Sequence, residues 1–213
     1  MTTYKKYLKT GILAALFTIF SSFGNNASAQ RIPDELNFKL DWQLNAPVGS
    51  DFVNGMTGWG MNFETAYEVY GPWSLGAFAS FHTNHGYDER RTIQLSPTQT
   101  LNTDLTLSSF QIPFGGLVSY TLFDNGYFKP YITTKLGAMY QQNTAYMNYS
   151  GYYNRPWGFY VSPEIGVTIH PLKYSRFGFN VVAYYSYGTN QNELLDYSEN
   201  GVNNLGFRLG VCF

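Results

Sequence analysis

Residues 36–45 read LNFKLDWQLN. Leu36, Phe38, Leu40, Trp42 and Leu44 alternate without exception with Asn37, Lys39, Asp41, Gln43 and Asn45. In an extended chain successive side chains point to opposite faces, so this run is a strand with one apolar and one polar face. The same period of two returns seven more times, over residues 59–69, 73–82, 110–122, 128–141, 157–169, 177–187 and 204–213. Phe78 is an exception, since it falls among polar residues on its strand. Eight runs is an even number, and each is long enough to cross a bilayer at a tilt.

The connections decide between architectures. Three are short and carry turn chemistry: Tyr70-Gly71-Pro72, Phe123-Asp124-Asn125-Gly126 and Pro171-Leu172-Lys173-Tyr174. Four are longer, at about 47–57, 84–105, 142–156 and 189–203. Short and long connections alternate strictly, which predicts an all-β, eight-stranded, antiparallel up-and-down transmembrane β-barrel. Both chain ends then lie at the short-turn, periplasmic side, and four loops lie outside.

Alternation alone leaves open which face is inward, because a soluble lipocalin-like barrel turns its apolar face in. Composition favours lipid on the outside. Aromatic residues make up 19% of the chain and charged residues only 13%, against about 25% charged in soluble domains. Mean hydropathy is nonetheless −0.23, as expected where apolar outward residues average against polar inward ones. Trp59 and Trp157 open strands at one rim and Trp73 at the other, the positions of interfacial aromatic belts. Trp42 lies near the outer end of its strand.

The first residues read as an export signal. Lys5, Lys6 and Lys9 precede the apolar run at 11–20, which is too short to span a bilayer as a helix. Ala27-Ser28-Ala29 supplies the small-x-small cleavage pattern, so residues 1–29 are expected to be removed before Gln30. An uncleaved N-terminal anchor is the alternative. Residues 30–213 form the barrel domain, with ten Lys and Arg against fourteen Asp and Glu. Nothing in this balance suits nucleic acid. The single Cys212 excludes an internal disulfide.

The final run, Leu205-Gly206-Phe207-Arg208-Leu209-Gly210-Val211-Cys212-Phe213, resembles the C-terminal assembly signal of outer-membrane barrels, with Phe207, Leu209, Val211 and Phe213 as its alternate apolar positions. Phe110-Gln111-Ile112-Pro113-Phe114, followed by Lys129-Pro130-Tyr131-Ile132 and Gly137, looks like the small outer membrane protein beta-barrel domain family, of OmpA- or OmpX-like size. The resemblance covers the chain from residue 30 onward in pattern. It implies an outer-membrane location, contact with outer-membrane lipid and with the barrel-assembly machinery, and no shared biochemical activity.

An eight-stranded barrel is just wide enough inside for its own side chains. Lys39, Asp41, Glu64, Lys135, Glu164 and Arg208 all fall on the polar face, as do Glu68 and Lys129 nearer a strand end. Buried charges of one sign are very costly, so opposite charges should pair across the lumen. The topology allows Arg208 with Asp41 or Glu64, and Lys135 with Glu164. Inward Phe78, Leu117, Tyr131, Met139 and Tyr184 should block flow, which favours a structural plug over a pore or proton path. Pro113 removes a ladder donor, so a bulge or frayed pairing is expected there.

His82, His85, Asp88 and Glu89 raise a metal or hydrolytic reading, and Ser80 shares a face with His82. The His82-x-x-His85 spacing does not fix a tetrahedral site, and a solvated loop explains the cluster more simply. Tyr146, Tyr149, Tyr152 and Tyr153 give the third loop contact area suited to a surface ligand, or form a headgroup-level collar. The expectation is a non-enzymatic integral outer-membrane barrel with an envelope-structural or surface-interaction role and no cofactor or metal. The alternatives are an accessory barrel of a transport or secretion system with a periplasmic partner, and a lipid-modifying enzyme.

Overall fold

The computed structural model describes residues 35–96, 99–147, 150–173 and 175–213. The signal residues Ala27 and Ala29, the cleavage neighbour Gln30, and also Tyr149 and Tyr174 lie outside the described residues. The strands are β1 (Leu36–Pro47), β2 (Gly60–Tyr70), β3 (Trp73–Ser96), β4 (Gln99–Thr121), β5 (Phe128–Met147), β6 (Ser150–Asn154), β7 (Trp157–Ile169), β8 (Gly178–Leu194) and β9 (Tyr197–Cys212).

Every pairing is antiparallel. β1 pairs with both β2 and β9, and β4 with β5, so the sheet closes on itself as a ring of eight. β6 does not add a ninth stave. β5 pairs with β7 from Phe128 to Tyr140 and with β6 from Asn143 to Met147. β6 and β7 are therefore one returning strand, broken at Arg155 and at Pro156, which has no N–H to give.

In the half of the ring nearest the chain ends, the alternation faces as expected of a barrel in lipid. Phe63, Leu75, Phe114, Ile132, Leu136, Ile165, Phe179 and Leu209 point out and are exposed. Their strand neighbours Asn62, Glu64, Lys135, Glu164, Asn180 and Arg208 point in and are buried. Trp42, Trp59, Trp73 and Trp157 all face outward. Trp73 packs on Tyr120 at one edge of this belt (ring centroids 4.9 Å apart) and Trp157 on Tyr140 at the other (5.2 Å). An exposed apolar band between aromatic girdles has no stable counterpart in water and fits a hydrocarbon layer.

The short turns are as anticipated. In the β4–β5 turn Asp124 accepts the Gly126 N–H at 2.7 Å, and Asn125 accepts from Tyr127 and Phe128 at 3.0 and 2.7 Å. Gly126 sits at φ 84°, a backbone conformation that costs a side chain and suits glycine.

The long connections depart from the sequence expectation. Three of the four expected loops are largely strand. β3 runs on to Ser96 and β4 starts at Gln99; β5 reaches Met147, and β6 follows at Ser150; β8 and β9 meet at Leu194 and Tyr197. Only the connection at 48–59 remains irregular over its length. With 24 residues β3 is about 80 Å long, whereas a bilayer needs only about 9–11 residues of tilted strand. The excess builds a crown beyond the belt.

The reason the crown reads as loop is a change of phase. Ile93, Leu105, Leu107, Ala145, Met147 and Leu194 point inward there, while Thr92, Thr106, Gln191 and Glu193 point outward. Alternation continues, but with polar residues on the outer face, and a search for a greasy outer face passes over it. Pro113 shows the frayed pairing expected of it and not the bulge. The β3–β4 ladder lapses beside it and resumes at His82–Gln111 in unchanged register, with no bulge, and Pro113 keeps its place opposite Met139 on β5.

Candidate functional site

The belt lumen holds three cations, Lys39, Lys135 and Arg208, and three carboxylates, Asp41, Glu64 and Glu164. Strand register brings them to one level: Arg208 lies opposite Gln43 on β1, Lys39 opposite Glu64 on β2, and Glu164 opposite Tyr184 on β8. Arg208 Nη1 donates to Glu164 at 2.6 Å and its Nε to Gln43 at 3.0 Å. Lys135 forms a short ion pair with Glu64, reaches Glu164 at 3.2 Å and donates to Asn62 at 3.0 Å. Lys39 stands 4.0 Å from Glu64, with its ammonium 3.6 Å above the Tyr131 ring.

Among the described residues, Asp41 is the lumen carboxylate in no direct ion pair. It accepts instead from Asn62 (2.9 Å) and Asn180 (2.8 Å), and Asn180 in turn accepts from the Tyr131 hydroxyl at 2.6 Å. Gly210 faces Asp41 across the β1–β9 pair, and a β-carbon there would collide with it. Lys135 and Arg208 are fully buried. Both cations are tolerable there because each has an opposite charge and further hydrogen bonds.

The spacing-based pairing for Lys135 with Glu164 corresponds to a contact of 3.2 Å. Arg208 reaches Glu64 only at 3.9 Å, and its short contact is with Glu164. The strand-neighbour argument missed both Arg208–Glu164 and Lys135–Glu64, because these pairs cross the lumen. Lys129 and Glu68 leave the network: Lys129 pairs with Asp124 at 2.9 Å in the turn, and Glu68 accepts from Asn37 at 3.3 Å. Outside the belt, the Lys129 and Gly126 hydrogen bonds hold the Asp124 carboxyl below its usual range, outweighing the opposing cost of burial.

Beside the charges packs a cluster of Phe78, Leu117, Met139, Tyr160 and Val202, with Phe78 opposite Glu64 and Leu117 opposite Lys135, and amides and one histidine complete the lumen. Asn45 donates to Asn84 (2.8 Å) and Asn204 (3.0 Å), and accepts from the Tyr184 hydroxyl (2.6 Å). His82 sits between Gln43 (3.1 Å) and Gln111 (3.0 Å), fully buried. His85 points to the opposite face, three residues away along a strand. The two histidines therefore do not converge on one site. Ser80 has no hydrogen-bond partner and so is not paired with His82. No group of three or more His, Cys, Asp or Glu residues placed to hold a metal occurs among the described residues.

The crown has a core that sequence reasoning missed. Phe52 and Val53, from the irregular 48–59 segment, are buried with Ile93, Leu105, Leu107, Ala145, Met147, Leu194 and Tyr197. Phe52 meets Tyr197 edge-on at 5.2 Å. Glu199 on β9 anchors the segment: its Oε1 accepts from the Asp51 N–H (2.6 Å), the Phe52 N–H (3.0 Å) and the Ser50 hydroxyl (2.8 Å). Gly55 N–H donates to the His85 carbonyl at 2.9 Å on the other wall. An Arg91 brace, to Asp88 at 2.8 Å and Asp196 at 3.6 Å, ties the β3 and β8–β9 arms. Tyr197 donates a short hydrogen bond to Asp88. Burial, and then Asp88, push the Tyr197 hydroxyl up to about 12.

No family model matches the sequence, and no curated protein does. Solved structures do resemble it. Neisserial surface protein A shares 14% identity at a TM-score of 0.49, over 84% of this chain and 96% of that one. Ail of Yersinia pestis, in complex with the heparin analogue sucrose octasulfate, shares 16% at 0.43, over 84% and 97%. The outer membrane protein OprG from Pseudomonas aeruginosa shares 12% at 0.44, over 83% and 93%. The closed ring of eight, the apolar belt and the polar lumen make this chain a small barrel of the outer-membrane type.

Proposed function

We propose that this protein is a non-enzymatic, integral outer-membrane barrel, exported by a cleaved signal peptide, that keeps its termini in the periplasm and presents the crown outside. Its role is envelope structure and contact at the cell surface. The observation that carries this reading is a filled lumen beneath a closed, braced crown. Lys135, Met139, Tyr184 and Arg208 are all fully buried, which supports a plugged lumen over the aqueous path that a porin or secretion channel needs.

The crown's charge narrows the partner. Asp51, Asp88, Glu89, Asp104, Glu193, Asp196 and Glu199 stand against Arg90, Arg91 and Arg155. A polysulfated or nucleic-acid partner would meet like charge. Phe207 on β9 and Phe213 just beyond its end are half exposed, open to lipid and, during biogenesis, to the assembly machinery.

Orientation is tested by cysteine labelling in intact cells. Thr92→Cys, on the crown, should react with a membrane-impermeant maleimide, and Leu172→Cys, in a short turn, only after permeabilisation. The reverse pattern overturns the reading. Steady channel openings in planar bilayers would overturn the plug.

A further inference from the structure

Among the described residues, the wall of the ring parts at the upper end of the β7–β8 pair. β7 and β8 pair from Ile169–Phe179 to Glu164–Tyr184, lapse at Ser162 and Pro163, resume in the same register at Val161–Tyr187 and Tyr160–Gly188, and the ladder then stops. Beyond it β8 pairs with β9 alone, through a register shift between Gly188 and Gln191. Where the strands part, the Phe159 N–H donates to a side chain, Thr189 Oγ1, at 2.9 Å. From the lumen side, buried Asn190 fills the seam. Its Nδ2 donates to the carbonyls of Met139 (3.0 Å) and Pro156 (3.1 Å), and its Oδ1 has no partner. Gly158 permits this, since a β-carbon there would strike Asn190.

Outside the seam lies an open groove of about 320 Å³, lined by Asn154, Pro156, Trp157, Thr189, Gln191 and Glu193. Its height is set by Trp157, which belongs to the aromatic girdle with Tyr140 and Phe114. The groove therefore opens sideways where headgroups meet the barrel. Its lining is specific in kind. It offers two carboxamides, a hydroxyl and a carboxylate, which together donate to and accept from neutral hydroxyls, beside a broad indole that is 62% exposed. It contains no cation. Arg155, the nearest in sequence, is turned to Gln142 (3.1 Å) and lies over the Tyr153 ring. A phosphate would find only Glu193 as a charge here, of the wrong sign.

We propose that this groove seats a saccharide unit of a glycolipid in the outer leaflet, with its hydroxyls on Asn154, Gln191 and Glu193 and its C–H face on Trp157. The inference rests on the crown facing outward, which the labelling experiment tests separately.

The test uses the full-length barrel in nanodiscs and native mass spectrometry. Three probes are compared: lipopolysaccharide, its delipidated core oligosaccharide, and phosphatidylglycerol. Lipopolysaccharide should be retained in preference to phosphatidylglycerol. Gln191→Ala with Glu193→Gln should weaken retention about tenfold, and Trp157→Ala should weaken it comparably. All three positions are exposed, and heat-modifiable migration in SDS gels verifies that each variant is folded. Retention unchanged in both variants, or no preference over phosphatidylglycerol, overturns the site. Equal affinity for the free oligosaccharide overturns the lipid as the source of the sugar.

Discussion

The belt and the crown are built from the same strands and solve opposite problems. In the belt the surroundings are hydrocarbon, so apolar residues face out and the interior is left to Asp41, Glu64, Lys135, Glu164 and Arg208. In the crown the surroundings are water, so polar residues face out and the interior is Phe52, Ile93, Leu105, Leu107 and Met147. The strands do not end where the medium changes; the phase of the alternation does. One half is thus cohered by directional, charge-assisted contacts that fail abruptly when one partner is lost. The other is cohered by burial of apolar area, which weakens in proportion to what is removed. The 48–59 segment is held by a few identifiable contacts, so its opening is expected to precede unfolding of the ring.

The largest effect should come from breaking the belt network. Arg208→Ala leaves Glu164 facing Lys135 alone and deprives Gln43 of its donor. Loss of one partner from a buried pair costs about 3–5 kcal/mol, measurable as a lowered urea midpoint for unfolding from lipid vesicles. Replacing both partners, as Arg208→Met with Glu164→Gln, should recover most of that loss. If the single variant is as stable as the parent, the network does not hold the belt.

How far the sequence reveals this contrast depends on the medium outside each strand. The belt was legible: Leu36 to Asn45 alternates cleanly, and the same rule placed all six lumen charges on the inward face. The exact partners were not, since Arg208–Glu164 and Lys135–Glu64 span the lumen between strands that are not neighbours. The crown was illegible for a definite reason. Residues 84–105 carry inward Ile93 and Leu105 at spacings interrupted by the bulge between Asp88 and Arg91, so no run of period two is long enough to stand out. Phe52 and Val53 gave no signal of burial either, being two apolar residues in a segment without periodicity. Their core forms only when β3, β4, β5 and β8 arrive around them.

Phe52→Ala tests the crown as Arg208→Ala tests the belt. Truncating a buried Phe costs about 3 kcal/mol or more. Here the loss should appear locally, as faster hydrogen exchange and protease cleavage within 48–59, with the unfolding midpoint of the ring little changed. A global loss equal to that of Arg208→Ala would mean that belt and crown are one cooperative unit. Glu199→Gln is the milder version. It keeps the shape but weakens three hydrogen bonds from Ser50, Asp51 and Phe52, each charge-assisted. A loss of about 1–2 kcal/mol in protection of the same segment is expected.

The smallest effect is a pH dependence confined to the crown. Tyr197 donates to Asp88 and is pushed up to about 12 by burial and by that carboxylate, against about 10 for an unperturbed tyrosine. The folded crown therefore holds the Tyr197 proton more tightly than the opened crown does. Its contribution is fully present below about pH 10 and is lost as pH rises from there towards 12, because the opened state releases the proton first. Protection of residues 48–59 should fall across that window, and the tyrosinate absorbance of the parent should show a late-titrating group that is absent from Tyr197→Phe. The belt should be indifferent to the same substitution. A parent and a Tyr197→Phe variant with identical crown protection from pH 9 to 12 would show that the Asp88–Tyr197 contact does not hold the crown closed.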